Sequence, residues 1–241
     1  MNRPEKPNEQ AVTENFEFDA LEEAVNYRAA LLREFCQPLR GRVLEIGAGI
    51  GQFTRVLAGL PGVQEVLSIE PESRFCQIFR KRHPGGQLLE GTIDSLGDDL
   101  EWDAIIHINV LEHIHDDEAE LAKCRQRLAC RGGHLCLVVP ARQEIYAPLD
   151  RDLGHHRRYA KPELRQKLQE AGFTIIRLHY FNWIGYFAWW FSFCLLRRRH
   201  FNVGAVVLFD RVICPVTLPL ERNLLRPPFG QSLVAIAQAG S

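Results

Sequence analysis

The chain has 241 residues, 46% hydrophobic and 24% charged, the balance of a globular protein and not of a disordered, collagen-like or coiled-coil chain. Lys and Arg total 29 against 30 Asp and Glu, a net charge of −1, so no global field exists to draw in nucleic acid. Seven cysteines with no C-x-x-C pair, and an N-terminus without an apolar leader, lead us to expect reduced thiols in a cytoplasmic protein. No run reaches the ~20 apolar residues that would cross a bilayer.

Residues 1–15 read as a polar tail and 16–241 as one domain. Apolar residues at helical spacing predict a helix within Phe18–Phe35. A strand at Val43–Ile46 runs into Gly47, Gly49 and Gly51 and then a helix over Phe53–Gly59. A second strand, Val66–Ile69, ends in Glu70, followed by a helix over Glu72–Arg82 that Pro84-Gly85-Gly86 stops. Leu88-Leu89 is a weak strand and Asp103–Val110 a strong one. An amphipathic helix over Asp116–Ala129 closes at Gly132-Gly133, and strand Leu135–Val139 ends at Pro140. A helix over Pro162–Ala171, a strand over Thr174–Tyr180 and a last strand over Ser232–Gln238 complete the chain. Strands alternating with helices of this length predict a doubly wound parallel sheet. The long stretch at 183–229 reads as an insertion before the last strand.

The segment Arg42–Phe53, RVLEIGAGIGQF, is a strand, a tight glycine turn and a helix start. Such a turn lets main chain approach a ligand at the carboxyl edge of an α/β sheet. Its glycines run G-x-G-x-G, with Gln52 in the slot where dinucleotide-binding turns carry a third glycine. Glu45 lies inside the strand, where a pyrophosphate would be repelled and a cationic ligand welcomed. Glu70 could take both hydroxyls of a ribose, and Asp94 in GTIDSL could accept from an adenine amine. Taken singly, each acid also reads as a cap or a solvated turn residue; taken in order, they point to a nucleoside-bearing cofactor.

These motifs resemble those of class I S-adenosylmethionine-dependent methyltransferases. VLEIGAGIG is similar to their first motif, SIEP to the second, GTIDSL to the third and DAIIHINVLEHI to the fourth, with LACRGGHLCLVVP following. The resemblance implies a seven-stranded Rossmann-like sheet ordered 3-2-1-4-5-7-6, with the last strand antiparallel. It implies S-adenosylmethionine on Gly47, Ala48, Gly49 and Gly51, with Glu45 near its ammonium, Glu70 and Pro71 at the ribose, and Asp94 and Ser95 at the adenine. Asn109, Val110 and His113 would border the methionine end, and Tyr27 would cover the cofactor or simply pack its helix. NVLEH resembles the ubiquinone-type small-molecule enzymes. Relatives with E-x-x-E-H bind a divalent metal there; Asn109 replaces the first Glu, and losing a carboxylate weakens a hard-cation site, so no metal is expected.

Methyl transfer to a hydroxyl, or less readily an amine, needs in-line alignment and a base. The segment 146–159, YAPLDRDLGHHRRY, offers His155 first and His156 second as base, Asp150 to orient it, and Arg157, Arg158 and Tyr159 for a small-molecule or lipid- or glycan-linked acceptor. Trp183 opens an aromatic run at 183–196, followed by three arginines. Three readings of it stand open: a cover over the acceptor, a homodimer interface, or a peripheral membrane contact through 183–200. The rival functions are an NAD- or nucleotide-sugar-dependent oxidoreductase, disfavoured by Gln52, and a catalytically idle cofactor-binding protein.

Overall fold

A computed structural model describes residues 22–97, 101–128 and 132–240. Helix α1 (Val25–Glu34) precedes β1 (Gly41–Ile46), α2 (Thr54–Ala58), β2 (Val63–Glu70), α3 (Ser73–Arg82) and β3 (Gln87–Glu90). There follow β4 (Ala104–Ile108), α4 (Asp117–Leu128), β5 (His134–Pro140), the short α5 (Pro148–Asp152), α6 (Lys161–Glu170) and β6 (Phe173–Phe181). The insertion carries α7 (Trp183–Trp189), α8 (Val203–Leu208) and α9 (Cys214–Leu220), and β7 (Ser232–Ala239) closes the sheet. The seven strands run β3-β2-β1-β4-β5-β7-β6. β1 to β5 pair in parallel, and β7 is antiparallel to both β5 and β6, as the resemblance implies. The N-terminal part of the expected helix within Phe18–Phe35 lies outside the described residues.

Strand residues alternate between two cores, the period-two pattern of a sheet covered on both faces. Leu44, Ile105, Leu135 and Leu137 face α4 and α6, while Val43, Ile106, Cys136 and Val138 face α1 and α9. A third cluster joins Ile145, Leu149 and Leu153 to Trp189 and Phe193, so the α5 segment and the insertion pack as one body.

The insertion departs from what the apolar runs suggest. From Val203 to Leu224 the chain is one helix of 22 residues, with hydropathy 1.8 and 17% of its most apolar window buried, long and apolar enough by composition to cross a membrane. The sequence expectation that no segment reaches this length is corrected here. Asp210, Arg211, Glu221 and Arg222 interrupt the linear run, and Pro215 and Pro219 read as breakers. The helix continues through them with π-helical turns at Phe209–Ile213 and Glu221–Leu225.

Candidate active site

The carboxyl ends of β1, β2 and β4 meet at the glycine turn. Gly47, Gly49 and Gly51 all hold positive φ, at 71°, 56° and 86°, which L side chains rarely adopt. A Cβ on Gly47 would overlap the Val110 side chain, and one on Gly51 the ring of His83. These two glycines therefore serve close intramolecular packing as well as the turn. The N–H groups of Gly47 and Ala48 both donate to Ile69 O, at 2.9 and 3.0 Å. Gly49 N–H donates to Glu70 Oε2 at 2.8 Å, and Glu72 N–H donates to Glu70 Oε1 at 2.9 Å. Burial raises the Glu70 pKa, and those two amides oppose the rise. Pro71 next to it is exposed.

Gly91 N–H donates to Glu70 O at 3.0 Å, which brings the 3₁₀ turn Ile93–Ser95 alongside. Asp94 there pairs with Lys123 on α4 at 2.6 Å, and both side chains are exposed. An exposed pair of this kind is worth little, so the carboxylate can exchange that partner for a ligand amine at small cost. Ser95 Oγ accepts from Thr92 N–H at 3.2 Å. An acid beside the glycine turn, an exchangeable acid one strand over and main chain at positive φ fit a nucleoside with a cationic end.

Glu45 takes a different place from the one the resemblance implies. Its Oε2 accepts from Thr54 Oγ at 2.6 Å and Ser68 Oγ at 2.7 Å. The residue is buried, and burial pushes its pKa up to about 7. A carboxyl so placed is about half protonated at neutral pH, and its hydroxyl partners make it a tie between β1, α2 and β2 rather than a contact for the ammonium.

Beside Asn109 opens a cavity of about 320 Å³. Its walls include Tyr27, Asn109, His155, Arg158, Trp189 and Phe193, whereas the glycine turn, Glu70 and Asp94 stand outside it. Asn109 holds a left-handed φ of 53° and donates its N–H to Val138 O at 2.9 Å. The edge thus has two compartments, a main-chain shelf and a side-chain cavity, with the β4–α4 turn between them.

Asp150 organises the cavity side. It is fully buried, and its Oδ1 accepts from His155 Nδ1 and Arg158 Nε, both at 2.9 Å. Arg158 Nη2 is 2.8 Å from the same oxygen. Asp150 Oδ2 accepts from Ala147 N–H at 2.7 Å. Burial alone would raise the Asp150 pKa, but the His155 bond and the Arg158 charge hold it below the usual carboxylate range. An ionised Asp150 puts the proton on His155 Nδ1 and leaves Nε2 with a lone pair, the orientation a general base needs. His155 Nε2 lies 3.9 Å from Glu112 Oε1, and the His113 ring meets His155 edge-on at 4.7 Å. Desolvation and the neighbouring histidines lower the His113 pKa, although the residue keeps an exposed edge.

Glu112, His113 and His155 offer one donor atom each, all within 4.8 Å of one another. The missing first carboxylate, on which the expectation of no metal rests, is only part of the donor set that the fold assembles. His155 arrives from a segment over 40 positions downstream and supplies a third donor. A second trio of donors, His107, Glu120 and Cys124, is buried under β4.

Several other predicted residues stand elsewhere. The exposed His156 ring packs on His115 at 5.6 Å, away from the cavity walls. Arg157 is held by Asp117 at 2.9 Å and His115 O at 2.8 Å, so it is a structural tie and not an acceptor contact. Tyr159 is fully buried and donates to Asp117 Oδ2 at 2.8 Å, which, with burial, drives its pKa far above the ordinary value. Trp183 packs on Phe187 outside the cavity. Arg158 remains a wall, its guanidinium 4.3 Å from the Trp189 ring centroid.

Sequence reasoning missed Trp189 and Asp210. Trp189 Nε1–H donates to Ile145 O at 3.1 Å and fixes that wall. Asp210 Oδ1 accepts from Tyr27 N–H at 2.8 Å, and Oδ2 accepts from Asn26 N–H at 3.0 Å, so an insertion residue caps the first turn of α1. That cap holds Tyr27 at the cavity, with its ring on Phe181 at 5.6 Å and its hydroxyl pushed up to about 12 by burial. The available signal was a lone acid in the apolar stretch VVLFDRVI; a buried acid demands donors, which only the fold identifies.

Sheet order and a glycine-turn shelf with an acid on the next strand define the class I methyltransferase architecture. The family model described as a methyltransferase domain matches residues 18–178, and the chain belongs to that family, whose members are S-adenosylmethionine-dependent methyltransferases. An uncharacterized methyltransferase of Oceanobacillus iheyensis is 30% identical over 93 residues, 38% of this chain and 43% of that relative; the match thus spans less than half of the curated relative's length. Among solved structures, an S-adenosylmethionine-dependent methyltransferase of Thermotoga maritima aligns with TM-score 0.62 at 19% identity, covering 95% of this chain and 97% of that one. A methyltransferase of Haloferax volcanii solved with the activator Trm112 gives 0.62 at 18%, covering 96% and 94%. DhpI, solved with S-adenosylhomocysteine, gives 0.55 at 20%, covering 88% and 83%. At these identities the structures speak for the fold alone.

Proposed function

We propose that this methyltransferase alkylates a hydroxyl of a small or lipid-linked acceptor held in the cavity beside Asn109, with His155 as general base. The observation that carries the reading is the buried Asp150–His155 pair at 2.9 Å on the cavity wall. Gly47, Ala48, Gly49 and Gly51 would hold the cofactor, Glu70 its ribose, Asp94 and Ser95 its adenine, and Asn109, Val110 and Tyr27 its methionine end. When bound, S-adenosylmethionine supplies an electrophilic methyl group on a sulfonium. His155 Nε2 takes the acceptor's proton as the new O–C bond forms and the S–C bond breaks. Asp150 stabilises the resulting imidazolium, as a buried carboxylate does for a histidine base. Trp189, Phe193 and Phe209 exclude water from the transfer.

A second reading is favoured by the donor trio. A divalent cation on Glu112, His113 and His155 would lower the acceptor's pKa directly, and His155 would then be a ligand held by Asp150. Methyl-labelled cofactor offered with matched alcohol and amine panels tests the assignment. Labelled ethers, formed in chelator and lost in His155→Gln, are expected. Label confined to amines overturns the hydroxyl assignment, and loss of turnover in chelator with recovery on added Zn²⁺ or Mn²⁺ selects the metal reading.

A further inference from the structure

The cavity is roofed by two helices, and each has a second face that the active site does not use. On the first helix, Gly185, Ala188, Trp189 and Ser192 line the cavity. Phe187, Trp190, Phe191 and Leu195, offset by about half a turn, are exposed at 47%, 45%, 53% and 55%. On the second helix, Asp210, Cys214, Leu218 and Glu221 point inward and are buried. Leu208, Val212, Val216, Leu220 and Leu224 recur every four residues along the opposite side and are exposed, Leu224 to 75%. Apolar surface on this scale marks an interaction site.

Charge decides between occupants. From 183 to 224 the chain carries two acids, Asp210 and Glu221. Both are consumed inside: Asp210 caps α1, and Glu221 accepts from Asn182 N–H at 2.9 Å and Trp183 N–H at 3.0 Å, capping α7. The cations of the same stretch, Arg197, Arg198, Arg199, Arg211 and Arg222, are all exposed; Arg199 pairs with Asp152, and Arg211 and Arg222 lie 3.5 Å from Glu23 and Glu34, acids from outside the insertion. The outer side of the insertion is therefore apolar with no surface acid of its own, and among the described residues Arg197 and Arg198 show no acid partner. A second copy packed face to face would bring its own Arg197 and Arg198 and no acid of the insertion to meet them, since Asp152, Glu23 and Glu34 are already engaged. An anionic bilayer offers both what the apolar rows and what the arginines require. The helix does not span it, because its inner face is bound to Phe181, α1 and α7.

We infer that α7 to α9 form an interfacial membrane-binding surface, and that the acceptor is the polar head of a membrane lipid whose apolar tail enters the cavity between the two helices. The cavity wall between the helices is Trp189, Phe193, Phe201 and Val206, apolar as a chain requires, with Arg198 and His200 also at its lining. The substrate part of this inference rests on the proposed acceptor cavity; the surface part does not.

The test is flotation of the full chain with phosphatidylcholine vesicles containing or lacking phosphatidylglycerol. Co-flotation is expected with the anionic vesicles, weakened by roughly tenfold or more without the anionic lipid or in high salt. Val212→Asn/Val216→Asn and Arg197→Glu should lose flotation while binding S-adenosylhomocysteine as before, which shows that they fold. His155→Ala should float as the parent does, so a failed catalytic reading leaves this result intact. Absence of flotation in the parent chain overturns the surface. A concentration-dependent dimer that Val216→Asn abolishes, without flotation, overturns it in favour of a second copy. Label transferred only to water-soluble acceptors, with vesicle binding retained, overturns the lipid substrate.

Discussion

On one side of Asn109 the sheet edge is made of main chain: the Gly47–Gly51 turn, the amides that hold Glu70 and the bond from Gly91 to Glu70 O. On the other side it is made of side chains collected from distant stretches: Tyr27 from α1, His155 and Arg158 after α5, Trp189 from α7 and Ser232 from β7. The first compartment depends on backbone conformations that few residue types permit. The second depends on long-range ties, above all Asp150 with His155 and Arg158, and Asp210 with α1. A shelf built from backbone can hold one cofactor on many chains, while a cavity built from insertion side chains is free to vary with the acceptor.

Substitutions can separate the two compartments. His155→Ala should lower turnover by about 10²–10⁴-fold while leaving S-adenosylhomocysteine affinity within a few fold; steady-state rates and calorimetry read both. An affinity loss as large as the rate loss would erase the boundary between shelf and cavity. Asp150→Ala leaves Arg158 buried without its carboxylate and should cost about 3–5 kcal/mol of stability, read as a lowered urea midpoint. An unchanged midpoint would mean that the cavity wall does not depend on that tie. Glu70→Ala should weaken S-adenosylhomocysteine binding by about 1.5–3 kcal/mol without changing the acceptor KM. The opposite pattern would place Glu70 on the acceptor side.

Glu45 bears on stability and not on either compartment's ligand. Its folded pKa, about 7, lies above the ordinary 4.5, so between those values the folded state holds a proton that the unfolded chain has lost. Stability from this group is full below pH 4.5 and declines as pH rises to 7, by up to about 3 kcal/mol. Glu45→Gln, which keeps an acceptor for Thr54 and Ser68, should flatten that decline in denaturant midpoints measured at pH 5 and pH 7. A slope that survives the substitution would assign the titration elsewhere.

The strands were legible from apolar runs because period-two burial on both faces leaves a local trace, as Leu44 and Val43 do on opposite sides of β1. Asp150 and His155 were legible as chemistry, five residues apart in a polar segment beyond β5. Their neighbours misled: Arg157, Tyr159 and His156 carry the same residue types as Arg158 and His155, yet Asp117 and His115 claim them. Composition cannot tell which side of a loop faces a cavity. Trp183 and Trp189 differ in the same way, since a helix turns successive aromatics to opposite sides.

The order of local motifs by itself determined the sheet, the glycine turn and the class of cofactor, because positive φ, strand period and helix stops are demands made by residues on their immediate backbone. Tertiary structure alone decided that Glu45 is a structural tie, that Asp210 and Glu221 cap helices 183 and 38 positions away, and that a cavity exists between Tyr27 and Trp189. Those outcomes depend on which buried polar groups find each other once the chain has closed, and a buried charge leaves no mark in sequence of the partner that satisfies it.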